Sequence, residues 1–541
     1  MLPSTTPVEF RQFRAPRENR SALVEPPFSE IGPVIAQNVQ LHAQQNYDFQ
    51  GWSLERLSRQ ARRELLRDAQ RWTSTYRDVA PLFPSSSELI FLAGHQPQLF
   101  HPGVWFKNFA LGHLAGRYGA VGINLLIDSD TIKSTALRVP GGSLQDPAIA
   151  SIPFDEHGKP IPFEQRQILD RAALADFGQR AVERLATLVP DPLLRQYWPM
   201  VLQRARQTDN LGACLAQARH QLEGQWGVQT LEIPQSRVCQ SESFAWFLTH
   251  LVAHLPRFRE VYNGTIRIYR QAHRIRNSAH PVPELVADGP WLEAPFWIWS
   301  TKDPLRRPLF VAQHGQEVLL TNRNGLEIAL PLTADADPSR AVGRLLDHSC
   351  RGIKIRSRAL ITTLWARLVL GDLFLHGIGG AKYDQVTDLL IHQFFGLRPP
   401  GLMVISATLQ LPIPREGEPW EDPTEIKQRL RELQWHPERY VLSDDRSPLG
   451  DPAELVQRKL QYVQMSPTPE NGRLRFEEIR RINEALQPWL ADLRHEWTQR
   501  QAEAVHRQRR ESLRLSREYS FCLYPGDMLR EFFSSQLPNE A

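Results

Sequence analysis

At 541 residues the chain is longer than one ordinary compact domain, so we expect a core with large insertions or two to three domains. The formal net charge is only +4, with 64 basic residues against 60 acidic ones, and this balance leaves no electrostatic footprint of nucleic-acid binding. The four cysteines are far apart and form no CxxC pair, which disfavours a zinc knuckle and a disulfide framework and favours a reducing cytoplasm.

No pattern typical of export or membrane insertion is found. Residues 1–17 are polar and contain proline, whereas a signal peptide needs an apolar stretch before its cleavage site. The most apolar long segment, Leu360–Gly380, is interrupted by Arg367, Asp372 and His376, which a bilayer would not readily accept. We therefore expect a cytoplasmic protein that does not bind membranes, and we interpret this segment as buried core.

The N-terminal part predicts the opening of a parallel sheet. Its prolines predict an extended arm over residues 1–46, and apolar residues at helical spacing predict a helix over Trp52–Arg77, so that residues 1–84 form an arm and a helix. A βαβ unit is predicted next, with its strand, helix and second strand at Glu88–Ala93, Val104–Tyr118 and Val121–Ile127.

Two insertions are predicted before the chain returns to this sheet. A mostly helical stretch predicts an insertion over residues 164–225, followed by a strand at Val228–Ile233. Short strand-like runs around the Asn324-Gly325 turn predict an antiparallel meander over residues 293–333. Helices and strands then alternate again at Ala359–Leu370, Asp372–Leu375, Tyr383–Phe395 and Leu402–Ser406. This alternation predicts an α/β fold with a Rossmann-like parallel sheet over residues 85–420.

The C-terminal part is charged and helical. Its longest candidate helix, Arg473–Tyr519, contains only Pro488 and carries apolar residues among many charges. We interpret residues 421–519 as an α-helical, coiled-coil-like arm, although the apolar seam is irregular, and residues 520–541 as a return segment. Its many charges are typical of a solvated face.

The first candidate site follows the first predicted strand. Ligands of open α/β sheets bind outside the carboxyl ends of strands, where glycine permits close approach and a helix N-terminus favours anions. The imidazoles, amides and lysine of this loop are suited to phosphate or carboxylate oxygens. We assign His95 to catalysis, and the residues assigned to substrate or anion binding are Gly94, Gln96, Gln98, His101, Gly103 and Lys107.

A proline-shaped turn with packed aromatic side chains is the alternative interpretation of this loop. Neither GxGxxG nor a Walker A motif is present, so nothing supports a dinucleotide site or a P-loop.

Two carboxylates, Asp128 and Asp130, follow the second predicted strand, with Lys133 close behind. In an extended segment residues i and i+2 project to the same side, so the pair would share a metal ion or one of them would act as a base. A hydrophilic loop is the equally weighted alternative. We assign both aspartates to catalysis and assign no resident metal ion.

Glycines recur after the strand at Asp372–Leu375. Three glycines in four positions follow His376 and remove side chains where a ligand must come close, and the next predicted helix begins at Lys382 and Tyr383. We assign Lys382 to catalysis, and the residues assigned to anion binding here are His376, Gly377, Gly379, Gly380 and Tyr383. Because this cluster and the first one occupy the same topological place, we interpret them as two lips of one crevice.

These blocks resemble the cysteine-adding enzymes of bacillithiol biosynthesis, the BshC family. The segment Gly94–Lys107 is similar to that family's G-Q-Q-x-G-L-x-x-G-P-x-x-x-x-K block, with His95 in place of the first glutamine. Tyr262–Leu285 is similar to its Y-N, Y-R and P-x-P-x-L segment. Gly377–Tyr383 is similar to its G-G-P-G-E-I-A-Y loop, with Lys382 where alanine is usual.

The resemblance covers residues 85–540, and its most important departure concerns the block after the second strand. The family has the sequence E-D-H-D after the second strand, where this chain has Asp128-Ser129-Asp130-Thr131 and no histidine. The resemblance therefore supports the fold more strongly than the reaction.

The resemblance implies a Rossmann-like core, a homodimer contact through the coiled-coil arm, and carbon–nitrogen ligase activity. Cysteine and a glucosaminyl-malate acceptor are the implied substrates. A carboxylate is a poor electrophile until it is activated, so ATP or ADP with Mg²⁺ is the implied cofactor, although the residues themselves assign none. The two lips, with His95 and His101 and with Lys107 and Lys382, would then stabilise phosphate or oxyanion charge. Asp128 or Asp130 would orient the attacking amine or bind Mg²⁺.

Two other functions are compatible with the sequence. The missing histidine favours a non-catalytic nucleotide- or sugar-acid-binding protein, whereas an enzyme should bring His95, Asp128 or Asp130, and Lys382 to one water-accessible pocket. A nucleotidyltransferase-like enzyme ranks last, because the strand–loop–helix pattern resembles class I synthetases but no HIGH or KMSKS motif and no basic stripe is present.

Overall fold

The computed structural model describes residues 10–79, 89–143, 146–414, 421–441 and 451–538. By its internal contacts the chain divides into two compact units. The first consists of Met1–Gly141, Ala150–Pro412 and Arg517–Ala541, and the second consists of Gly142–Ile149 and Ile413–Ser516. The protein is of the mixed α/β class, and its first unit contains a mostly parallel sheet.

The strands in the described part of the chain are β1 (Ser21–Glu25), β2 (Ile90–His95), β3 (Val121–Leu126), β4 (Ala136–Gly142), β5 (Pro147–Pro153), β6 (Leu231–Pro234), β7 (Ala287–Asp288), β8 (Trp291–Ser300), β9 (Arg307–His314), β10 (Glu317–Thr321), β11 (Glu327–Pro331), β12 (Ile353–Ser357), β13 (Leu373–His376) and β14 (Leu402–Thr408).

The α-helices in the same residues are α1 (Ile31–Gln44), α2 (Leu54–Ser74), α3 (Pro102–Tyr118), α4 (Arg171–Leu185), α5 (Leu194–Ala205), α6 (Leu211–Gln225), α7 (Gln235–Val238), α8 (Glu242–Ala253), α9 (Leu255–Ala272), α10 (Ser339–Cys350), α11 (Ala359–Trp365), α12 (Ile378–Leu390), α13 (Pro423–Trp435), α14 (Ala453–Gln464), α15 (Gly472–Leu486), α16 (Ala491–Arg514) and α17 (Gly526–Gln536). Among the described residues, none of these helices has the length and apolar character needed to cross a bilayer.

The first sheet has six strands in the order β1-β14-β13-β2-β3-β6. The pairings from β14 to β6 are parallel, and β1 pairs antiparallel with β14. Four predicted strands are therefore confirmed as neighbours, although Glu88 lies outside the described residues. Ile90, Phe91, Leu92 and Ala93 of β2 are completely buried, as expected for a central parallel strand that is covered on both faces.

The prediction that residues 1–46 are extended throughout is wrong. β1 extends the first sheet at its edge, and α1 follows it. The helix forms because its buried residues recur at helical spacing, at Ile31, Ile35, Asn38 and Leu41. Pro33 is tolerated because it lies in the first turn, where backbone N–H groups have no partner within the helix.

The predicted insertions are present with shifted boundaries. Helices α4, α5 and α6 make up the helical insertion, and the strand expected at Val228–Ile233 is β6. The meander is part of a second, antiparallel sheet with the order β11-β10-β9-β8-β12, whose long strand β8 and closing strand β12 the sequence patterns did not indicate. Between β10 and β11, Gly325 has φ +89°, the left-handed conformation that glycine adopts at low cost.

The described residues of the second unit form four long helices. Within it, α13 packs against α16 and α14 packs against α15. The longest predicted helix, Arg473–Tyr519, is divided: α15 ends at Leu486, a 3₁₀ turn spans Gln487–Leu490, and α16 begins at Ala491. Pro488 explains this division, because proline lacks the N–H that an uninterrupted helix would need at that position.

Gly103, in the first turn of α3, is required by packing. A Cβ atom at this position would lie 2.1 Å from the backbone oxygen of Ala407. We therefore expect Gly103→Ala to lower the free energy of unfolding by about 1–3 kcal/mol, measured by urea denaturation. Gly116→Ala in the same helix is the matched control, because a Cβ atom there meets nothing within 4 Å, and it should raise stability by up to about 1 kcal/mol. Equal stability of the two variants would contradict this packing.

Candidate functional site

The candidate site lies at the carboxyl edge of the first sheet. From β2 the chain continues to β3 on one side, and from β13 it continues to β14 on the other, although β2 and β13 are neighbours. The strand order therefore reverses between β2 and β13, which is the place where open α/β sheets bind ligands. The last residues of these two strands are His95 and His376. Both were expected in loops and instead end strands.

The histidine that ends β2 faces the interior, and a second histidine, in the loop that follows, caps a helix. His95 is buried, and within the described residues its Nε2 has no hydrogen-bond partner. Burial, and then the charges of Arg219 and Lys107, lower the pKa of His95 well below its usual value, so the ring is neutral. His101 is the N-cap of α3, where its Nδ1 accepts a hydrogen bond from Gly103 N at 3.1 Å.

His101 and Lys107 were predicted to be open to a bound anion, and in the structure neither is. Burial lowers the pKa of His101 to about 4, and its Nδ1 acts as an acceptor for the backbone. Lys107 is only 4% exposed and donates from Nζ to Gly94 O at 2.5 Å. Burial and the charge of Arg219 lower the pKa of Lys107 to about 7, so the side chain is partly deprotonated at neutral pH, and its hydrogen bond to Gly94 O holds the end of β2 in place.

The residues after β3 form a turn, so the prediction of an extended segment with two carboxylates on one side is wrong. Asp128 accepts hydrogen bonds from Ser236 N at 2.9 Å and from Ser236 Oγ at 2.5 Å. Asp130 instead accepts from Gln96 Nε2 at 2.8 Å and from Arg306 Nη1 at 2.9 Å. The two aspartates therefore bind different partners, because a turn breaks the alternation of side chains that an extended strand would give.

Asp128 carries a perturbed carboxyl group. Burial raises the pKa of Asp128 to about 7, with a further rise from Glu164 that the Ser236 hydrogen bonds and Arg356 partly offset. Arg356 is itself buried and donates from Nη2 to Glu164 Oε2 at 3.0 Å. A carboxyl group that titrates near neutral pH is suited to accept a proton during catalysis.

This pKa predicts how stability depends on pH. The folded protein holds the Asp128 proton more tightly than the unfolded chain, so between about pH 4 and pH 7 stability should fall as pH rises. Asp128→Asn carries no titrating proton, and its stability relative to the wild type should increase across this window by on the order of 3–4 kcal/mol. Urea denaturation at several pH values measures the difference. A difference that does not change with pH would contradict the raised pKa.

The loop after β13 is shorter than predicted, because α12 begins at Ile378 and not at Lys382. Gly377 is the N-cap residue and provides no side-chain capping hydrogen bond. A Cβ atom at Gly377 or Gly379 would meet nothing within 4 Å, whereas one at Gly380 would lie 1.9 Å from the His376 ring. The first two glycines therefore leave space at the helix N-terminus, and the third makes room for the histidine.

His376 and Lys382 differ in exposure. His376 is buried, and burial lowers its pKa to about 4, with Asp384 opposing and Lys107 and Arg367 adding to the shift. Its Nε2 has no hydrogen-bond partner within the described residues and lies 3.8 Å from Asp384 Oδ2. Lys382 is exposed in the second turn of α12.

Several interactions relate the three predicted loops to one another. The Gln96–Asp130 hydrogen bond joins the loop after β2 to the turn after β3. Burial raises the pKa of Tyr383, and the charges of Asp384 and then Asp130 raise it further. Asp130 belongs to the turn after β3 and Tyr383 belongs to α12, so this turn interacts electrostatically with α12. A cavity of about 150 Å³ lies beside the first two loops and is lined by residues that include Gln98 and Lys133, but by no residue of the third loop. One pocket shared by all three loops therefore stays a prediction.

A buried charge network below the site was missed in the sequence. Arg219 donates from Nη1 to Glu223 Oε1 at 2.6 Å and also pairs with Glu232. Glu223 Oε1 accepts further hydrogen bonds from Trp105 Nε1 at 2.6 Å and Asn108 Nδ2 at 2.7 Å, both on α3. The i,i+4 spacing of Arg219 and Glu223 signals a helical pair, but nothing in the sequence signals its burial.

Arg306 was missed for a different reason. It lies between β8 and β9 of the second sheet, where it donates to Asp130 and to Ser129 O, and its guanidinium lies 4.3 Å from the centre of the Trp297 ring. A single arginine in a connection carries no sequence signal. Only the packing of the two sheets within the first unit brings it to the turn after β3.

Comparison of the chain with models of known protein families gives no match, and no curated protein matches it either.

Proposed function

We propose that this protein is a carbon–nitrogen ligase of the BshC type, which joins an amino acid, cysteine in the family it resembles, to an acceptor such as a sugar-malate. One observation carries the proposal: the ends of β2, β3 and β13 lie along one edge of the sheet, and the Gln96–Asp130 hydrogen bond links the first two. Amide formation needs groups that bind carboxylate or phosphate oxygens beside a group that contacts an amine, and these loops supply both kinds.

The N-terminus of α12 supplies the anion-binding half. Its first N–H groups lack partners within the helix, no side chain caps them, and the partial positive charge of the helix end favours an anion. Gly377 and Gly379 leave space for close approach, and the exposed Lys382 adds a full charge one turn further on. His376 would donate a neutral hydrogen bond from the adjoining strand end, whereas neutral His95 donates its Nδ1 proton to Gln96 O at 3.1 Å and so offers Nε2 as an acceptor.

The turn after β3 supplies the amine-binding half. The Asp130 side chain is 39% exposed and is oriented by Gln96 and Arg306, so it is the carboxylate available to an incoming amine. Asp128 lies behind it and, with a pKa near 7, would take up the proton that the amine releases when the carbon–nitrogen bond forms.

The site suits the phosphate of a nucleotide but not a resident metal ion. The phosphate of a nucleotide that activates the carboxyl group fits the α12 N-terminus as described. A resident Mg²⁺ ion does not fit, because Asp128 and Asp130 bind separate partners and the described residues contain no group of three or more candidate metal ligands. We therefore derive no step through a metal ion.

We also propose that the parallel sheet is Rossmann-like and that the helices of the second unit form a coiled-coil-like arm. Exposed apolar side chains on these helices support a role for the second unit in homodimer formation. Of the twelve strongly exposed large apolar residues in the described part of the chain, eight belong to this unit: Trp435, Leu460, Val463, Met465, Leu474, Phe476, Val505 and Leu515. Such a concentration is typical of a surface that is covered by a partner.

We expect Phe476→Glu to convert a dimer into a monomer, because this side chain is 58% exposed and a carboxylate would be buried unpaired in an apolar contact. Sedimentation should then give half the molecular mass of the wild type. Val286→Glu, at a 50% exposed position of the first unit, is the control and should leave the mass unchanged. A wild type that is already monomeric would give these helices another role.

A ligand-stability screen tests the proposed function. ATP, ADP, cysteine and glucosaminyl-malate are each added to the protein, and the melting temperature is measured. A ligand at one hundred times its dissociation constant stabilises the folded state by about 2.7 kcal/mol, which the melting temperature would show. Stabilisation by the sugar-malate and by a nucleotide supports the ligase. No stabilisation by any of the four contradicts it.

A non-catalytic binding protein is the second candidate. It is favoured because Lys107 and His101 both form hydrogen bonds with the backbone. Both groups stabilise the site and are not free for chemistry. A binding protein would be stabilised by one ligand of the screen and would form no product from any combination of them.

A further inference from the structure

A second ligand-sized space lies far from the candidate site. α3 begins at the carboxyl edge of the first sheet, and the groove lies against its other end, around Arg117. Fourteen residues of α-helix separate Gly103 from Arg117, which corresponds to about 20 Å. The groove has a volume of about 860 Å³, within the range of small-molecule sites, and is formed by α3, the turn after α6, and α17.

The groove combines aromatic surface with positive charge. Trp226 is half-buried between Phe109, whose ring centre is 5.9 Å away, and the guanidinium of Arg530, 5.8 Å from the indole centre. Phe533 packs on Phe109 at 4.4 Å and continues the apolar floor. Arg117 and Arg530 are both exposed at the groove, and none of the described residues that line it is an aspartate or glutamate.

The shape of the groove depends on glycine. Gly116 faces it from α3, and a Cβ atom there would meet nothing within 4 Å. Any side chain at this position would enter the open space. The absence of a side chain at Gly116 therefore keeps the volume beside Arg117 open.

We propose that this groove binds an aromatic phosphate, with the ring on Trp226 and the phosphate between Arg117 and Arg530. Guanidinium groups bind phosphate through paired charged hydrogen bonds, and indole and phenyl surfaces favour a planar ring. The proposal uses no residue of the ligase site and is independent of the proposed function.

Calorimetric titration with AMP tests the proposal, with adenosine and inorganic phosphate as the two partial probes. AMP binds the wild type, and each partial probe binds at least tenfold more weakly, because it lacks either the charge or the ring. The double variant Arg117→Glu/Arg530→Glu weakens AMP binding by more than tenfold. Gly116→Leu does the same by filling the groove, whereas Gly343→Leu, at an exposed and equally open helical glycine of α10, leaves binding unchanged.

Lys382→Ala separates this groove from the carboxyl edge. If AMP binding is lost in Lys382→Ala and retained in Gly116→Leu, the nucleotide binds at the carboxyl edge and the proposal is overturned. Absence of AMP binding to the wild type, or equal affinity for inorganic phosphate, overturns it as well. Circular dichroism of each variant shows whether it is folded, and Gly116→Leu keeps the test decisive if charge reversal disturbs α17.

Discussion

Arg219→Met is expected to destabilise the protein by about 3–5 kcal/mol, the largest effect of any single substitution considered. Arg219 is fully buried and pairs with Glu223 and Glu232, so its removal leaves two buried carboxylates without a compensating charge. Burial already raises the pKa of Glu232 to about 7 in the presence of the arginine. Urea denaturation measures the loss.

The pH dependence identifies the cause of this loss. Arg219 lowers the pKa of Glu232, so without it Glu232 holds its proton still more tightly than in the unfolded chain, and the destabilisation should be larger at pH 8 than at pH 5. Adding Glu223→Gln and Glu232→Gln to Arg219→Met should recover much of the stability, because no buried charge is left uncompensated. A loss that is independent of pH and is not recovered in the triple variant would mean that packing, and not charge, is responsible.

Lys382→Ala is expected to weaken binding of the anionic substrate by about 1.5–3 kcal/mol, roughly tenfold to more than a hundredfold, if the ammonium makes a charged hydrogen bond. Folding should be unaffected because Lys382 is exposed. Gly379→Leu should also weaken binding at least tenfold, because its side chain would enter the open space at the α12 N-terminus. Calorimetric titration with glucosaminyl-malate measures both variants.

Two controls match these variants. Lys427→Ala removes an exposed helical lysine of the second unit, and Gly343→Leu adds a side chain at an open helical glycine away from the edge. Both should bind as the wild type does. His95→Ala is informative beside them: if affinity is unchanged in Lys382→Ala and His95→Ala while both are folded, the three loops are ordered turns and not a binding site.

The parallel sheet was predictable because its signals are local. A run such as Ile90–Ala93 is apolar over its whole length, and the helix that follows it has apolar residues at helical spacing, so strand and helix are each encoded within a short window. Helix α1 was missed because Pro26 and Pro27 before it and Pro33 within its first turn suggested extended chain, whereas burial of one helical face decides the outcome.

The location of the site was also predictable, since loops that follow parallel strands meet at one edge of the sheet. The hydrogen-bond partner of each side chain was not predictable. Lys107 and Lys382 are both lysines near glycines, yet one is buried against Gly94 O and the other is exposed. Arg306 reaches Asp130 from the second sheet. Such contacts depend on packing between segments that are distant in sequence, for which a single chain carries no pattern.

Mass spectrometry of a reaction mixture tests the central claim most directly. The protein is incubated with cysteine, glucosaminyl-malate and ATP, and the products are searched for the amide, whose mass is the sum of the two substrates minus one water. The ligase account predicts this product with the wild type and with Lys427→Ala, and much less of it with Lys382→Ala. Absence of the amide with the wild type, or equal amounts with Lys382→Ala, would contradict the claim that the carboxyl edge of the parallel sheet forms this bond.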